Sequence, residues 1–144
     1  MPLRRYAEFS GRSRRLEFWM FQLLNIVIGG LLVSVMFANF AFAFGGGYSS
    51  TSPGMEIGFW LPVVLILIWW AVILVPGIAV TVRRLHDRDM SGWWYLGFVI
   101  SWFIPLVGLF AWIAFLVLML LDGTPGPNRY GEDPKGRGTA EVFR

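Results

Sequence analysis

The sequence predicts an all-α protein, a polytopic transmembrane helical bundle. Three stretches, 18–55, 57–82 and 90–121, contain no Asp, Glu, Lys or Arg, and all 21 formal charges of the 144-residue chain lie in the gaps around them. Hydrophobic residues make up 56% of the chain. A helix needs about 20 apolar residues to cross a bilayer, and a soluble helix seldom runs so far without a charge on its wet face. The chain is therefore predicted to be an integral membrane protein.

The first apolar segment follows a basic start. Residues 1–17 are predicted to lie at the membrane interface, and they carry five arginines: Arg4, Arg5, Arg12, Arg14 and Arg15. The first span is predicted over about 18–44. Because the apolar core of a signal peptide is only about 7–15 residues long, we interpret this span as a retained signal anchor. Lys and Arg are retained on the cytoplasmic side, so the N-terminus is predicted to be cytoplasmic.

A second span is predicted over about 57–82. The loop before it, 45–56, has no Lys or Arg and is rich in Gly and Ser, which places it outside the cytoplasm. The span ends in a dense charged loop, 83–89. Helical spacing within this loop predicts that Arg83 pairs with Asp87.

The third apolar region, 93–121, leaves two alternatives. Its central Ile104-Pro105-Leu106-Val107-Gly108 predicts a turn, which would divide the region into a short helical hairpin of about 93–103 and 109–121. One long kinked third span is the other interpretation. Only the hairpin returns the basic, turn-rich tail of residues 122–144 to the cytoplasm with the other basic segments, so the positive-inside rule favours it.

Three motifs resemble a known family. They are Gly11-Arg12-Ser13-Arg14-Arg15-Leu16-Glu17-Phe18-Trp19, Arg83-Arg84-Leu85-His86-Asp87 with Ser91-Gly92-Trp93-Trp94, and Gly123-Thr124-Pro125-Gly126-Pro127-Asn128-Arg129-Tyr130-Gly131-Glu132-Asp133-Pro134. Their order is similar to that of the bacterial inner-membrane family known as domain of unknown function 805. The resemblance implies a small multi-pass protein of the bacterial inner (plasma) membrane. It implies no activity and no site residues, because the family is named for lacking an assigned function.

The composition excludes several kinds of chemistry. The chain has no Cys and one His, which rules out a thiolate nucleophile, a disulfide and a Cys-based metal site. His86 beside Asp87 is the one base available, and adjacent residues in a charged loop do not form a catalytic triad. We therefore predict no enzymatic activity, no catalytic residue, no metal and no cofactor. The net charge of +3 indicates membrane orientation rather than nucleic-acid binding.

The basic segments instead predict a shared cytoplasmic site. Guanidinium groups at head-group depth suit phosphate, so the predicted function is a non-enzymatic membrane scaffold or partner-binding subunit that binds anionic lipid head groups or a partner. The candidate site residues are Arg12, Arg14, Arg15, Arg83, Arg84, His86, Asp87, Asn128 and Arg129. Membrane lipids are the expected partners, with a membrane-protein partner or a homo-oligomer left open. The alternative is a small channel or transporter subunit that uses the amides of Gln22, Asn25 and Asn39.

Overall fold

The computed structural model describes residues 6–47 and 53–136, with the backbone alone for 53–56. Within these residues the chain forms four α-helices and no strand. The helices are α1 (Arg15–Phe44), α2 (Pro53–His86), α3 (Trp93–Ser101) and α4 (Val107–Leu120). The predicted all-α class is confirmed, and the third apolar region is a pair of short helices rather than one kinked span.

Both long helices extend beyond the apolar spans predicted for them. α1 begins three residues earlier than expected, and α2 has four additional residues at each end. The prediction of a loop at residues 83–86 was therefore wrong, since they form the last turn of α2. Helix bounds follow backbone hydrogen bonding rather than hydropathy, and cationic side chains in a last turn are favourable to the helix dipole. The predicted loop residues 48–52, the tail after 136, and Arg4 and Arg5 lie outside the described residues.

α1 and α2 are each long enough to cross a bilayer. Their 30 and 34 residues correspond to about 45 and 51 Å at 1.5 Å per residue, against a hydrocarbon core of about 30 Å. Most of their apolar side chains are exposed on the protein surface. That surface is favourable in lipid and would be unfavourable in water, as expected for a membrane protein.

The hairpin of α3 and α4 turns tightly at residues 102–106. Its two helices contact each other, and the approach is tight at Gly108, where a Cβ atom would lie 3.0 Å from the Ser101 carbonyl oxygen and 3.1 Å from the Trp102 Cα. Leu106 adopts a φ of 64° immediately before α4, a conformation that costs a non-glycine residue about 1 kcal/mol or more. The turn predicted from Pro105 and Gly108 is confirmed.

The chain divides into two compact units. One runs from Gln22 to Leu74 and contains most of α1 and the first two thirds of α2. In this unit Gly29 lies opposite the indole nitrogen of Trp69. Asn39 donates its amide to the Val35 carbonyl oxygen at 2.9 Å, within its own helix.

The other unit combines the chain up to Phe21 with everything from Val75 onward. Its interior is unusually polar. The apolar residues buried there are Phe18, Phe21, Pro76, Ala79, Val80, Leu85 and Met119, and the buried polar or charged residues are Arg12, Ser13, Thr81, Arg83, Arg84, Asp87 and Asp133. Because charge is buried in this unit and apolar surface is outside, the unit needs specific ion pairs and hydrogen bonds to hold it together.

Candidate functional site

A buried ion cluster lies where α2 ends. Nε of Arg12 donates to Oδ1 of Asp87 at 2.9 Å, and Nη1 of Arg84 donates to Oδ2 of the same carboxylate. Nη2 of Arg84 also donates to the Leu121 carbonyl oxygen. The side chains of Arg12, Arg84 and Asp87 are 1%, 0% and 5% exposed. One carboxylate thus contacts two buried guanidinium groups, and the buried Asp133 adds a second negative charge 4.0 Å from Nη2 of Arg12.

Arg12 also holds the tail against the end of α2. Its Nη1 donates to the Gly126 carbonyl oxygen at 2.7 Å and its Nη2 to the Thr124 carbonyl oxygen at 2.6 Å. The Thr124 amide in turn donates to the Asp87 carbonyl oxygen at 2.9 Å. Together with the bond from Nε to Asp87, these contacts use all three guanidinium nitrogens of Arg12. The planar arrangement of donors in a guanidinium group suits several acceptors at once.

Gly123 makes this close approach feasible. A Cβ atom on Gly123 would lie 2.7 Å from Oδ1 of Asp87 and closer still to Oδ2. A side chain of any size would therefore push the tail away from the carboxylate. Glycine is required at position 123 because the ion cluster leaves no room for a side chain there. Its backbone conformation does not require glycine.

His86 also holds the tail against the end of α2, because its ring stacks on a ring of the tail. Its ring lies parallel to that of Tyr130, with centroids 3.8 Å apart, and its Nδ1 lies 3.3 Å from the Gly11 carbonyl oxygen. Asn128 donates to the His86 carbonyl oxygen at 2.9 Å and accepts the Tyr130 amide at 2.9 Å. Burial lowers the pKa of His86, and the positive charge of Arg129 adds to this, while the bond to Gly11 opposes it.

The remaining predicted arginines lie at the surface of the cluster. Arg129 pairs with Asp89 at 3.1 Å, and Arg15 pairs with Asp122 at 2.9 Å. Arg14 is exposed and donates to the Pro134 carbonyl oxygen at 2.6 Å. Exposed pairs such as those of Arg129 and Arg15 contribute at most about 1 kcal/mol.

Arg83 differs from all of these. It is 1% exposed, yet Nε, Nη1 and Nη2 have no hydrogen-bond acceptor among the described residues. The predicted Arg83–Asp87 pair is wrong, because Arg12 and Arg84 take both oxygens of that carboxylate. Burial by itself would raise the pKa of Glu17, but the hydrogen bond from Ser13 and nearby positive charge, including that of Arg83, hold it below its ordinary value.

The structure brings all nine predicted site residues to one end of this unit. It also adds residues that the sequence did not single out, namely Gly123, Thr124, Gly126, Asp122 and Asp133. Their signal was present, since most of them belong to the third family-like motif. Among the described residues no group of three His, Cys, Asp or Glu side chains lies close enough to hold a metal ion.

Comparisons with known proteins agree with the resemblance. Residues 6–132 match a family described as "Protein of unknown function (DUF805)". The chain is 38% identical over 133 residues to "Inner membrane protein YhaI" of Escherichia coli (strain K12), covering 92% of this chain and 91% of that protein.

Two further relatives come from the same organism. The chain is 40% identical over 136 residues to "Inner membrane protein YhaH", with 92% of each chain covered. It is 30% identical over 143 residues to "Uncharacterized protein YiiR", covering 87% of this chain and 84% of that one. No solved structure matches the chain. The family that the three motifs indicated is confirmed.

Proposed function

The chain belongs to the family of proteins of unknown function DUF805, and from that premise we propose that it is a non-enzymatic membrane scaffold whose arginine-rich cytoplasmic face binds anionic lipid head groups. The observation that carries the proposal is an excess of buried guanidinium donors. Nε, Nη1 and Nη2 of Arg83, Nε of Arg84 and Nε of Arg88 have no acceptor among the described residues. A buried donor left unsatisfied costs about 1–3 kcal/mol, and more when it is charged.

Phosphate oxygens fit this group of donors. A guanidinium group presents parallel N–H bonds that match two oxygens of one phosphate, and bridging water can extend such contacts. Arg83, Arg84 and Arg88 come from the last turn of α2 and the residues that follow it. Trp93 and Trp94 at the start of α3 are exposed, and tryptophan is typical of head-group depth.

Net charge alone does not explain such binding. In the described parts of the three charged segments, 6–17, 83–89 and 122–136, eight basic side chains are accompanied by seven acidic ones. Simple attraction between a basic surface and an anionic membrane would therefore be weak. The proposal depends on specific hydrogen bonds from Arg83 and its neighbours. The side chains of Arg83 and Arg84 are buried in this structure, so a head group has to displace packed side chains to reach them.

The proposed orientation places this cluster in the cytoplasm. Five arginines precede residue 16 and three more lie within 83–88, and basic residues near the ends of spans are retained on the cytoplasmic side. The N-terminus is then cytoplasmic, and α1 and α2 form two membrane crossings. A reporter active on only one side of the membrane, fused after Arg144, should give a cytoplasmic signal.

A non-enzymatic role is supported by the engagement of His86. Its ring is stacked on Tyr130 and its Nδ1 faces the Gly11 carbonyl oxygen, so packing accounts for its position without a substrate. If the protein used His86 as a catalytic base, His86→Ala would abolish any phenotype that deletion of the protein produces. We expect that variant to retain it.

The head-group proposal is tested by lipid retention. Purified protein is assayed by mass spectrometry for co-purified phosphatidylglycerol, and by thermal stabilisation on adding phosphatidylglycerol or phosphatidylcholine. Arg83→Gln should lower retention of the anionic lipid about tenfold or more, which corresponds to about 1.4 kcal/mol. Arg129→Gln is the matched control, because its partner Asp89 is exposed, and it should retain most binding. Unchanged lipid in a variant with Arg83, Arg84 and Arg129 all replaced by Gln would refute the proposal.

A further inference from the structure

We infer that the α3–α4 hairpin is a re-entrant membrane anchor, which enters the bilayer from the side of the arginine cluster and returns to that side without crossing. Its partner is the hydrocarbon of a single leaflet. The inference does not depend on head-group binding, because it concerns a different surface of the molecule and stands on different contacts.

The two ends of the hairpin are fixed to the last turn of α2 and to Arg88, two residues after it. Before α3, the Met90 amide donates to the Leu85 carbonyl oxygen at 3.0 Å. After α4, Nη2 of Arg84 donates to the Leu121 carbonyl oxygen, and Nη1 of Arg88 donates to the Asp122 carbonyl oxygen at 2.5 Å. Groups in hydrogen-bond contact cannot lie on opposite sides of a membrane. The hairpin therefore begins and ends on one side.

Its helices are too short to reach the other side. α3 has 9 residues and α4 has 14, which correspond to about 14 and 21 Å at 1.5 Å per residue. The hydrocarbon core is about 30 Å thick. With both ends held at the charged cluster, the turn at 102–106 reaches about the middle of the bilayer.

The surface of the hairpin suits hydrocarbon rather than water or the interface. α4 carries no charged side chain and is apolar on all faces, whereas a helix that lies flat at the interface has one strongly polar face. At the turn, Trp102, Phe103 and Leu106 are 69%, 84% and 73% exposed.

The backbone of the turn is also prepared for an environment without water. Irregular structure is costly in hydrocarbon because its N–H groups lose water as a partner. Here the amides of Trp102, Phe103, Ile104, Val107 and Gly108 donate to carbonyl oxygens within the hairpin at 2.8–3.3 Å. Proline at position 105 has no N–H to satisfy. Of the backbone N–H groups from 102 to 108, that of Leu106 alone has no acceptor among the described residues. The turn can therefore remain inside the leaflet with one unsatisfied amide.

The absence of cysteine allows a direct test with single-cysteine variants. Ser91→Cys marks the base of the hairpin and Ile104→Cys marks the turn. In right-side-out and inverted vesicles, a membrane-impermeant maleimide should label Ser91→Cys from one side only. It should label Ile104→Cys from neither side, and only after detergent is added. Labelling of Ile104→Cys from the side opposite Ser91→Cys, or from the same side at an equal rate, would overturn the inference.

The depth of the turn in the bilayer is measured on a second variant, so that the inference can still be tested if the first variant misfolds. Phe103→Cys is coupled to a fluorophore and reconstituted with lipids that carry a quencher at known depth. Quenching should be strongest with the quencher near the end of the acyl chain. A hairpin that crosses the bilayer would give the strongest quenching near the head group, and so would one that lies on the surface. Either of those results would reject the re-entrant arrangement.

Discussion

Arg12 and Asp87, 75 residues apart in the sequence, form a buried ion pair in which Nε of Arg12 lies 2.9 Å from Oδ1 of Asp87. The pair joins the segment before α1 to the end of α2. Because Arg84 binds the other carboxylate oxygen, Asp87 contacts both buried guanidinium groups directly, whereas the nearest oxygen of the buried Asp133 lies 4.0 Å from Nη2 of Arg12. The stability of this unit should therefore depend more on Asp87 than on either arginine.

Asp87→Asn should destabilise the protein by about 3–5 kcal/mol, because it removes the one carboxylate that both buried guanidinium groups contact directly. The measurement is unfolding in detergent micelles, followed by tryptophan fluorescence. Asp89→Asn is the matched control, since its pair with Arg129 is 47% and 59% exposed, and it should cost less than about 1 kcal/mol. Equal losses of stability in the two variants would show that the buried ion pairs of Asp87 contribute no more than the exposed pair of Asp89.

Arg12→Lys should also be strongly unfavourable, although it keeps the positive charge. Lysine has one nitrogen, and it cannot serve Asp87, Thr124 and Gly126 together as the guanidinium does. At about 1–3 kcal/mol for each buried acceptor left unsatisfied, we expect a loss of at least about 2 kcal/mol in the same unfolding experiment. Arg14→Lys, at an exposed position, should change stability by less than about 0.5 kcal/mol. If Arg12→Lys is equally mild, charge rather than hydrogen-bond geometry determines the contact.

Gly123→Ala should displace the tail from the end of α2. The added Cβ would overlap the Asp87 carboxylate, and overpacking of this kind costs about 1–3 kcal/mol. Limited proteolysis of the tail should accelerate in parallel with the loss of thermal stability. Gly97→Ala is the control within α3, where a Cβ has nothing within 4 Å. We expect that control to be neutral or slightly stabilising, because alanine is the better helix former.

The sequence was most informative about the apolar helices. The absence of charge over 18–55, 57–82 and 90–121 predicted the helices correctly, because hydrocarbon excludes charged side chains along a whole span. Pro105 and Gly108 marked the turn of the hairpin, since proline restricts the helix and glycine permits the close approach to Ser101. Element bounds were less accurate, because helices continue into the polar region for as long as their hydrogen bonds do.

The contacts within the charged cluster could not be read from spacing. Positions 83 and 87 are four apart, which favours a local pair, yet Asp87 is taken by Arg84 and by Arg12 from a distant segment. A local rule cannot include a partner that only the fold brings near. The role of Gly123 was missed for the same reason, because the space beside Asp87 exists only once the tail is folded against α2.

The pH dependence of stability should report on His86. Its pKa is lowered in the folded protein, chiefly by burial, so the unfolded chain binds a proton more readily. The sign follows from linkage: the contribution is complete above the unfolded pKa of about 6.5, and it is lost as the pH falls below that value towards the lowered pKa of the folded state. The unfolding temperature should therefore fall between about pH 7.5 and pH 5.5, before most carboxylates titrate. His86→Phe keeps a ring to stack on Tyr130 and removes the titration, so its unfolding temperature should change little over this interval. Since His86 is the one histidine of the chain, a decrease that persists in His86→Phe would assign the dependence to carboxylates instead.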